Sequence, residues 1–217
     1  MEGVNLTNAT RIENAYFESL SPEDQALVER ALAINPGLPH AYFVLAGIEL
    51  NISCPNVGKG GIQFAIVVQR NTGGDRIIEA DSSGNENATP RQDTAIANAT
   101  FVSQGTADAP DSILLRGGTD FTIVNSVVTG APVCLDVDGN ATVQAAGAGP
   151  DEKGPPRFDS VFLSCSDTPF RDDSDVPAAT IAQIFNSGSN NVASGTSTLT
   201  SVFINGANEN AVDAIAA

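Results

Sequence analysis

The stretch Asp136-Val137-Asp138-Gly139-Asn140 holds the residues best suited to chemistry. Two carboxylates separated by one residue lie on the same face of an extended strand, because strand side chains alternate sides. Paired in this way they offer hard oxygen ligands for Ca²⁺, or a carboxylate pair for acid–base work on a glycosidic bond. An EF-hand loop would need a closing Glu, which is missing here, and a solvated strand face ending at a turn would use the same residues. Two further acidic constellations occur: Glu79 with Asp81, and the run Arg171-Asp172-Asp173-Ser174-Asp175. Arg70, Arg76 and Arg116 are expected to pair with Glu79, Asp81 and Asp120 as salt bridges between stacked strands. A single His, His40, lies far along the chain from all of these carboxylates, and no CxxC occurs, which argues against structural zinc. No catalytic or cofactor-binding residue is assigned; Ca²⁺ at Asp136 and Asp138 is the one metal expectation.

Three cysteines, Cys54, Cys134 and Cys165, leave at least one thiol unpaired within the chain. Cys134 and Cys165 each lie in a β-branched, strand-like segment and are the disulfide candidates, provided their Cα atoms come within about 7 Å. Buried free thiols acting as small hydrophobes are the alternative. The state of Cys54 is left open.

The elements that must position these residues are short strands. One phrase recurs at 64–69, 99–104, 122–127, 160–165 and 201–206, each β-branched or aromatic and followed by Gly, Asp, Asn or Ser. A second series, 76–81, 112–117 and 133–139, interleaves with it and alternates apolar with polar residues. Starts separated by roughly 20 to 40 residues fall in the range of solenoid repeats, and a β-sandwich would need hairpin turns at closer and more even intervals. The expected fold is therefore mainly β, a right-handed parallel β-helix over 58–217. Stretches at 145–156, 172–179 and 186–196 read as loops, and 180–185 as a short helix. Residues 1–57 read instead as a helical cap or docking region. Ser21-Pro22-Glu23-Asp24 is a helix start, Asn35-Pro36-Gly37 a stop, and 39–50 a second helix completing a hairpin.

Composition limits the function. The chain has 217 residues, 26 acidic against 10 basic, and a formal net charge of −16. Such a chain is repelled by phosphate backbones, so nucleic acid is not an expected partner. A hydrophobic fraction of 41% with 17% charged residues predicts a folded chain. The low Lys content and abundant Asn, Thr and Gly fit an extracellular or cell-surface protein. No apolar run is long enough to span a bilayer, and Met1-Glu2-Gly3-Val4 has no signal-peptide character. Asn-X-Ser/Thr sequons at Asn5, Asn8, Asn51, Asn87, Asn98 and Asn140 matter only in a glycosylating host.

Four segments carry a family resemblance: 63–81, 113–120, 133–139 and 200–211. They resemble surface or lipoprotein-like β-helix proteins of Gram-negative bacteria, sphingomonad relatives in particular, over about residues 58–214. The resemblance implies a right-handed parallel β-helix at the cell surface and names no reaction. Relatives of that kind carry more coils ahead of the position of Gly58 and a Trp-rich C-terminal end, neither of which occurs here. A shorter segment, 26–46, resembles part of a tetratricopeptide repeat. The small apolar tail 211–217 reads as an uncapped solenoid end. The expected function is structural and non-enzymatic: a surface β-solenoid that self-associates head to tail into a filament or surface assembly. The alternative is a β-helix that binds or cleaves polysaccharide, using Ca²⁺ on its acidic faces.

Overall fold

The computed structural model describes residues 42–45, 50–53, 59–69, 76–82, 84–87, 91–103, 110–147, 153–173 and 175–216. Successive coils contribute to two parallel sheets. The seven-stranded sheet contains β1 (Tyr42–Leu45), β3 (Lys59–Gln63), β4 (Ala65–Val68), β6 (Asp93–Ala97), β7 (Thr100–Val102), β9 (Asp120–Thr129) and β11 (Arg157–Ser164). The five-stranded sheet runs β12 (Thr168–Phe170), β10 (Val133–Val137), β8 (Asp111–Leu115), β5 (Ile78–Asp81) and β2 (Leu50–Ser53). The two strand series expected from the sequence thus fall on different sheets of a parallel β-helix.

Apolar positions repeat because each coil must bury its side chains on the next. The register aligns Ile62, Ile96, Ile123 and Phe158 in one interior stack. Val67, Phe101, Val128 and Leu163 form a second. Ile78, Ile113, Leu135 and Phe170 form a third, from the other sheet. All but Ile62 are buried. Cys134 on β10 and Cys165, just after β11, join the two sheets through a disulfide with Cα atoms 5.6 Å apart.

A bend divides each long turn of the seven-stranded sheet at one recurring position. Phe64, Asn98, Asn125, Ser160 and Asn190 all have φ between 48° and 58° and occupy equivalent places in successive coils. Asn tolerates this left-handed conformation better than most residues. The corner between β9 and β10 is tighter still. Gly130 has φ +95°, and a Cβ there would meet the Ser103 carbonyl oxygen at 2.1 Å, so only glycine fits.

The end of the core beyond β11 and β12 is closed by helix α1 (Ala178–Asn186). Its Ile181 and Phe185 are fully buried. The Phe185 ring lies 5.3 Å from Phe158 and 5.4 Å from Phe170, the last members of two interior stacks. The expected helix at 180–185 is therefore present, and it is a cap, a role its sequence did not suggest.

Four expectations need correction. Tyr42–Leu45 is a strand paired in parallel with β4, not part of a second helix or of a tetratricopeptide-like unit. Leu50–Ser53 is likewise a strand, paired with β5. Segment 201–206 is not a solenoid strand: Ser201 and Val202 have positive φ, and Thr200 and Ile204 close an antiparallel bridge around them. The tail does not leave a bare end, because α1 covers the core and residues 213–215 lie along the side of the coils. Over 39–50 the local periodicity misled because alternation and helical spacing look alike over short apolar runs. The helix expected from Ser21, together with His40 and Cys54, lies outside the described residues.

Candidate metal site

Parallel stacking sets the site. On the outer face of the five-stranded sheet, the register brings Glu79, Leu114, Asp136 and Arg171 into one column. Asp81, Arg116, Asp138 and Asp173 form a second, two residues further along each coil. Each column mixes acids and arginines, so whether a carboxylate finds a counter-charge depends on its place in the stack.

The first pair is satisfied. Arg116 Nη2 lies 2.5 Å from Glu79 Oε1, and its Nε 3.0 Å from Asp81 Oδ2. Arg116 is 42% exposed, so this pairing contributes at most about 1 kcal/mol. Of the other expected partners, Arg76 bonds Asp111 instead, and Asp120, on the seven-stranded sheet, takes Arg91 at 3.1 Å. Arg70 lies outside the described residues.

The second pair is not satisfied. Asp136 Oδ2 is 3.6 Å from Arg171 Nε, which lies closer, at 3.1 Å, to Asp173 Oδ2. Arg171 Nη1 also bonds Asp111 Oδ1 at 2.7 Å, so one guanidinium faces three carboxylates. Asp136 is 2% exposed. Its Oδ1, and that of Asp138, have no hydrogen-bond partner among the described residues. Carboxylate oxygens of Asp136, Asp138 and Asp173 all lie within 4.8 Å of one another.

The electrostatic consequence is direct. Burial, reinforced by the charges of Asp138 and Asp111, pushes the Asp136 carboxyl up to about 7. Burial also raises Asp138, with Asp175 and Asp173 adding repulsion. Burial pulls on Arg171 in the opposite sense, but its hydrogen bond to Asp111 and the surrounding carboxylates leave it held above its ordinary value. A group of carboxylates gathered around a buried one, with too little positive charge, is relieved by a proton or by a cation. Three carboxylates converging in this space form a hard oxygen donor set of the kind that holds Ca²⁺.

The surrounding loop fixes this convergence. Asp175 Oδ2 accepts the Gly139 amide at 2.8 Å, tying the turn after β10 to the segment after β12. Asp172 Oδ1 accepts the Ala178 amide at 2.9 Å, at the start of α1. The acidic run 171–175 therefore has divided roles: Asp173 joins the cluster, while Asp172 and Asp175 brace it. Spacing along the strand points to Asp136 and Asp138 but not to Asp173, Arg171 and Asp111 as their surroundings. Counting coil register would have set Arg171-Asp172-Asp173 beside Asp136-Val137-Asp138.

The chain matches the family described as pectate-lyase-like beta helix domain over residues 57–207. No curated protein and no solved structure matches it. Among the described residues, no helix is long and apolar enough to cross a membrane.

Proposed function

The chain belongs to the pectate-lyase-like β-helix domain family, and from that premise we propose that it recognises acidic polysaccharide through a Ca²⁺ ion held by Asp136, Asp138 and Asp173. One observation carries this reading: carboxylate oxygens of Asp136, Asp138 and Asp173 converge within 4.8 Å, and Asp136 and Asp138 each keep a buried oxygen with no hydrogen-bond partner among the described residues. An unpaired buried charge is costly, and a divalent cation offsets it while keeping coordination positions for a sugar carboxylate. Arg171, 32% exposed, supplies a second group that can receive a carboxylate. A cell-surface or extracellular setting suits such a ligand, and the disulfide fits an oxidising compartment.

The test is calorimetric titration of the chelator-treated protein with CaCl₂, then polygalacturonate binding with and without Ca²⁺. Saturable Ca²⁺ binding, weakened at least about tenfold by Asp136→Asn with Asp138→Asn, is the expected result. Absence of Ca²⁺ binding by the folded protein sinks the reading. Formation of unsaturated uronate ends in the same mixture would extend it from recognition to cleavage.

Head-to-tail self-association is the second reading, favoured by the parallel ladders of both sheets, which run from coil to coil as far as β1 and β2 among the described residues. It ranks second because α1 directs its apolar residues inward over the other end. Light scattering that reports a monomer across a wide concentration range would remove it.

A further inference from the structure

The left-handed column on the seven-stranded sheet is occupied by a segment of its own chain. Residues 213–215 lie against it and are held through backbone atoms. The Ile215 N–H donates to Asn125 Oδ1 at 2.9 Å, and the Ile215 carbonyl accepts from Asn125 Nδ2 at 2.9 Å. The Asp213 carbonyl accepts from Ser160 Oγ at 2.6 Å and from Asn190 Nδ2 at 3.0 Å. The column is internally linked as well: Asn125 Nδ2 donates to Asn98 Oδ1 at 3.2 Å.

This contact reads backbone rather than side chain. A carboxamide that donates to a carbonyl and accepts from the amide of one residue acts as a neighbouring strand would. Side chains contribute little, since Asp213, Ala214 and Ala216 are exposed and only Ile215 is half-buried. The segment also has a clear anchor point. Glu209 is buried and accepts hydrogen bonds from Ser197, Thr198 and Gly206, which pins the chain up to the short 3₁₀ turn Glu209–Ala211. Beyond that turn, the column hydrogen bonds hold residues 213–215, and these residues are exposed or half-buried, so their release removes no buried core side chain.

We propose that the column Asn98–Asn125–Ser160–Asn190 is a docking track for extended peptide, filled in one molecule by its own residues 213–216 and able to take the same segment from a second copy. The second copy is favoured because its segment reproduces every contact by construction, the condition for low-cost exchange of an element between protomers. The Asn and Ser side chains of the track carry no charge, so it adds no repulsion between two copies of an acidic chain. Beside the docked segment a groove of about 870 Å³, lined by Thr122, Val124, Ile184 and Ile215 among others, gives the incoming chain room to enter. The inference is independent of the cation site on the other sheet.

A variant ending at Ala211 and a labelled synthetic peptide of residues 212–217 test this by fluorescence anisotropy. The truncated protein is expected to bind the peptide saturably. Binding should be at least tenfold weaker to the intact chain, whose track is filled, and to the truncated chain carrying Asn125→Ala. A truncated protein with the parent's circular dichroism spectrum and no saturable binding overturns the proposal, as does indifference to Asn125→Ala. Should truncation prevent folding, sedimentation of the intact protein decides. Exchange competes with an intramolecular site of roughly millimolar effective concentration, so dimers should appear as the protein approaches that range and vanish in Asn125→Ala. A parent that stays monomeric there overturns it.

Discussion

On the five-stranded sheet, stacked coils gather Asp136, Asp138 and Asp173, with one Arg171 shared among Asp111, Asp136 and Asp173. On the seven-stranded sheet, the same stacking lines up Asn98, Asn125, Ser160 and Asn190 in a neutral column. The coil spacing is common to both faces, about 4.8 Å between neighbouring strands, yet its effect is opposite. Like charges repeated at that distance repel, and burial removes the water that would screen them. Amides repeated at that distance bond to each other and to a passing backbone. One face therefore depends on something added to it, a proton or a cation, and the other is satisfied by the chain's own tail. What a solenoid face does is set less by its geometry than by whether its repeated side chain is charged.

The sharpest way to break the comparison is to uncouple the two faces. The Cys134–Cys165 disulfide joins β10 of one sheet to the end of β11 of the other. Replacing both cysteines by Ser should cost about 3–4 kcal/mol, from the chain entropy of a closed loop with a sequence separation of 31 residues. Urea unfolding of the parent and the variant checks this value. A change below about 1 kcal/mol would mean that stacking alone holds the sheets together.

Next in size is the anchor of the tail. Glu209 accepts hydrogen bonds from two hydroxyls and two amides. These outweigh the opposing cost of burial and hold its carboxyl down at about 2. Its folded value lies below the unfolded value, so its contribution is fully present above about pH 4.5 and is lost as pH falls toward 2. Glu209→Gln should therefore cost about 2–3 kcal/mol at pH 7, and the difference from the parent should narrow across that acid range. Thermal melts at pH 7, 4 and 3 measure it.

The smallest expected effect has the opposite sign. In chelator-treated protein, Asp136→Asn removes one buried charge from a repelling group and should raise the melting temperature by a few degrees, equivalent to about 1–2 kcal/mol. With Ca²⁺ present the order should reverse, because the parent gains stability by binding and the variant does not. A parent that is the more stable of the two without Ca²⁺ would contradict the repulsion inferred for this face.

Much of the architecture was legible in the chain. Phrases such as Ser160-Val-Phe-Leu-Ser-Cys165 and Val133-Cys-Leu-Asp-Val137 advertise strands locally, and their spacing speaks for coils. Strands β3, β6 and β12 were less visible. Lys59–Gln63 carries two glycines, and Thr168–Phe170 has three residues including a proline, so propensity is weak and pairing with neighbours makes the strand. Tyr42–Leu45 read as a helix for the same reason, since four apolar residues fit either period until a partner strand selects one.

The candidate site divides along a similar line. That Asp136 and Asp138 share a face is a consequence of alternation alone, whatever the fold. That Asp173 joins them, that Arg171 is shared among three acids, and that Asn125 meets Ile215 depend on how many residues each coil uses before it returns. Loop length between strands has little local signature, because loop-closure cost changes slowly with length. Sequence by itself determined which residues face outward, that the chain is acidic, and that its strands repeat. Only the tertiary structure decided which outward residues stack on one another, because register between coils is set by packing the interior, where Ile78, Ile113, Leu135 and Phe170 must align.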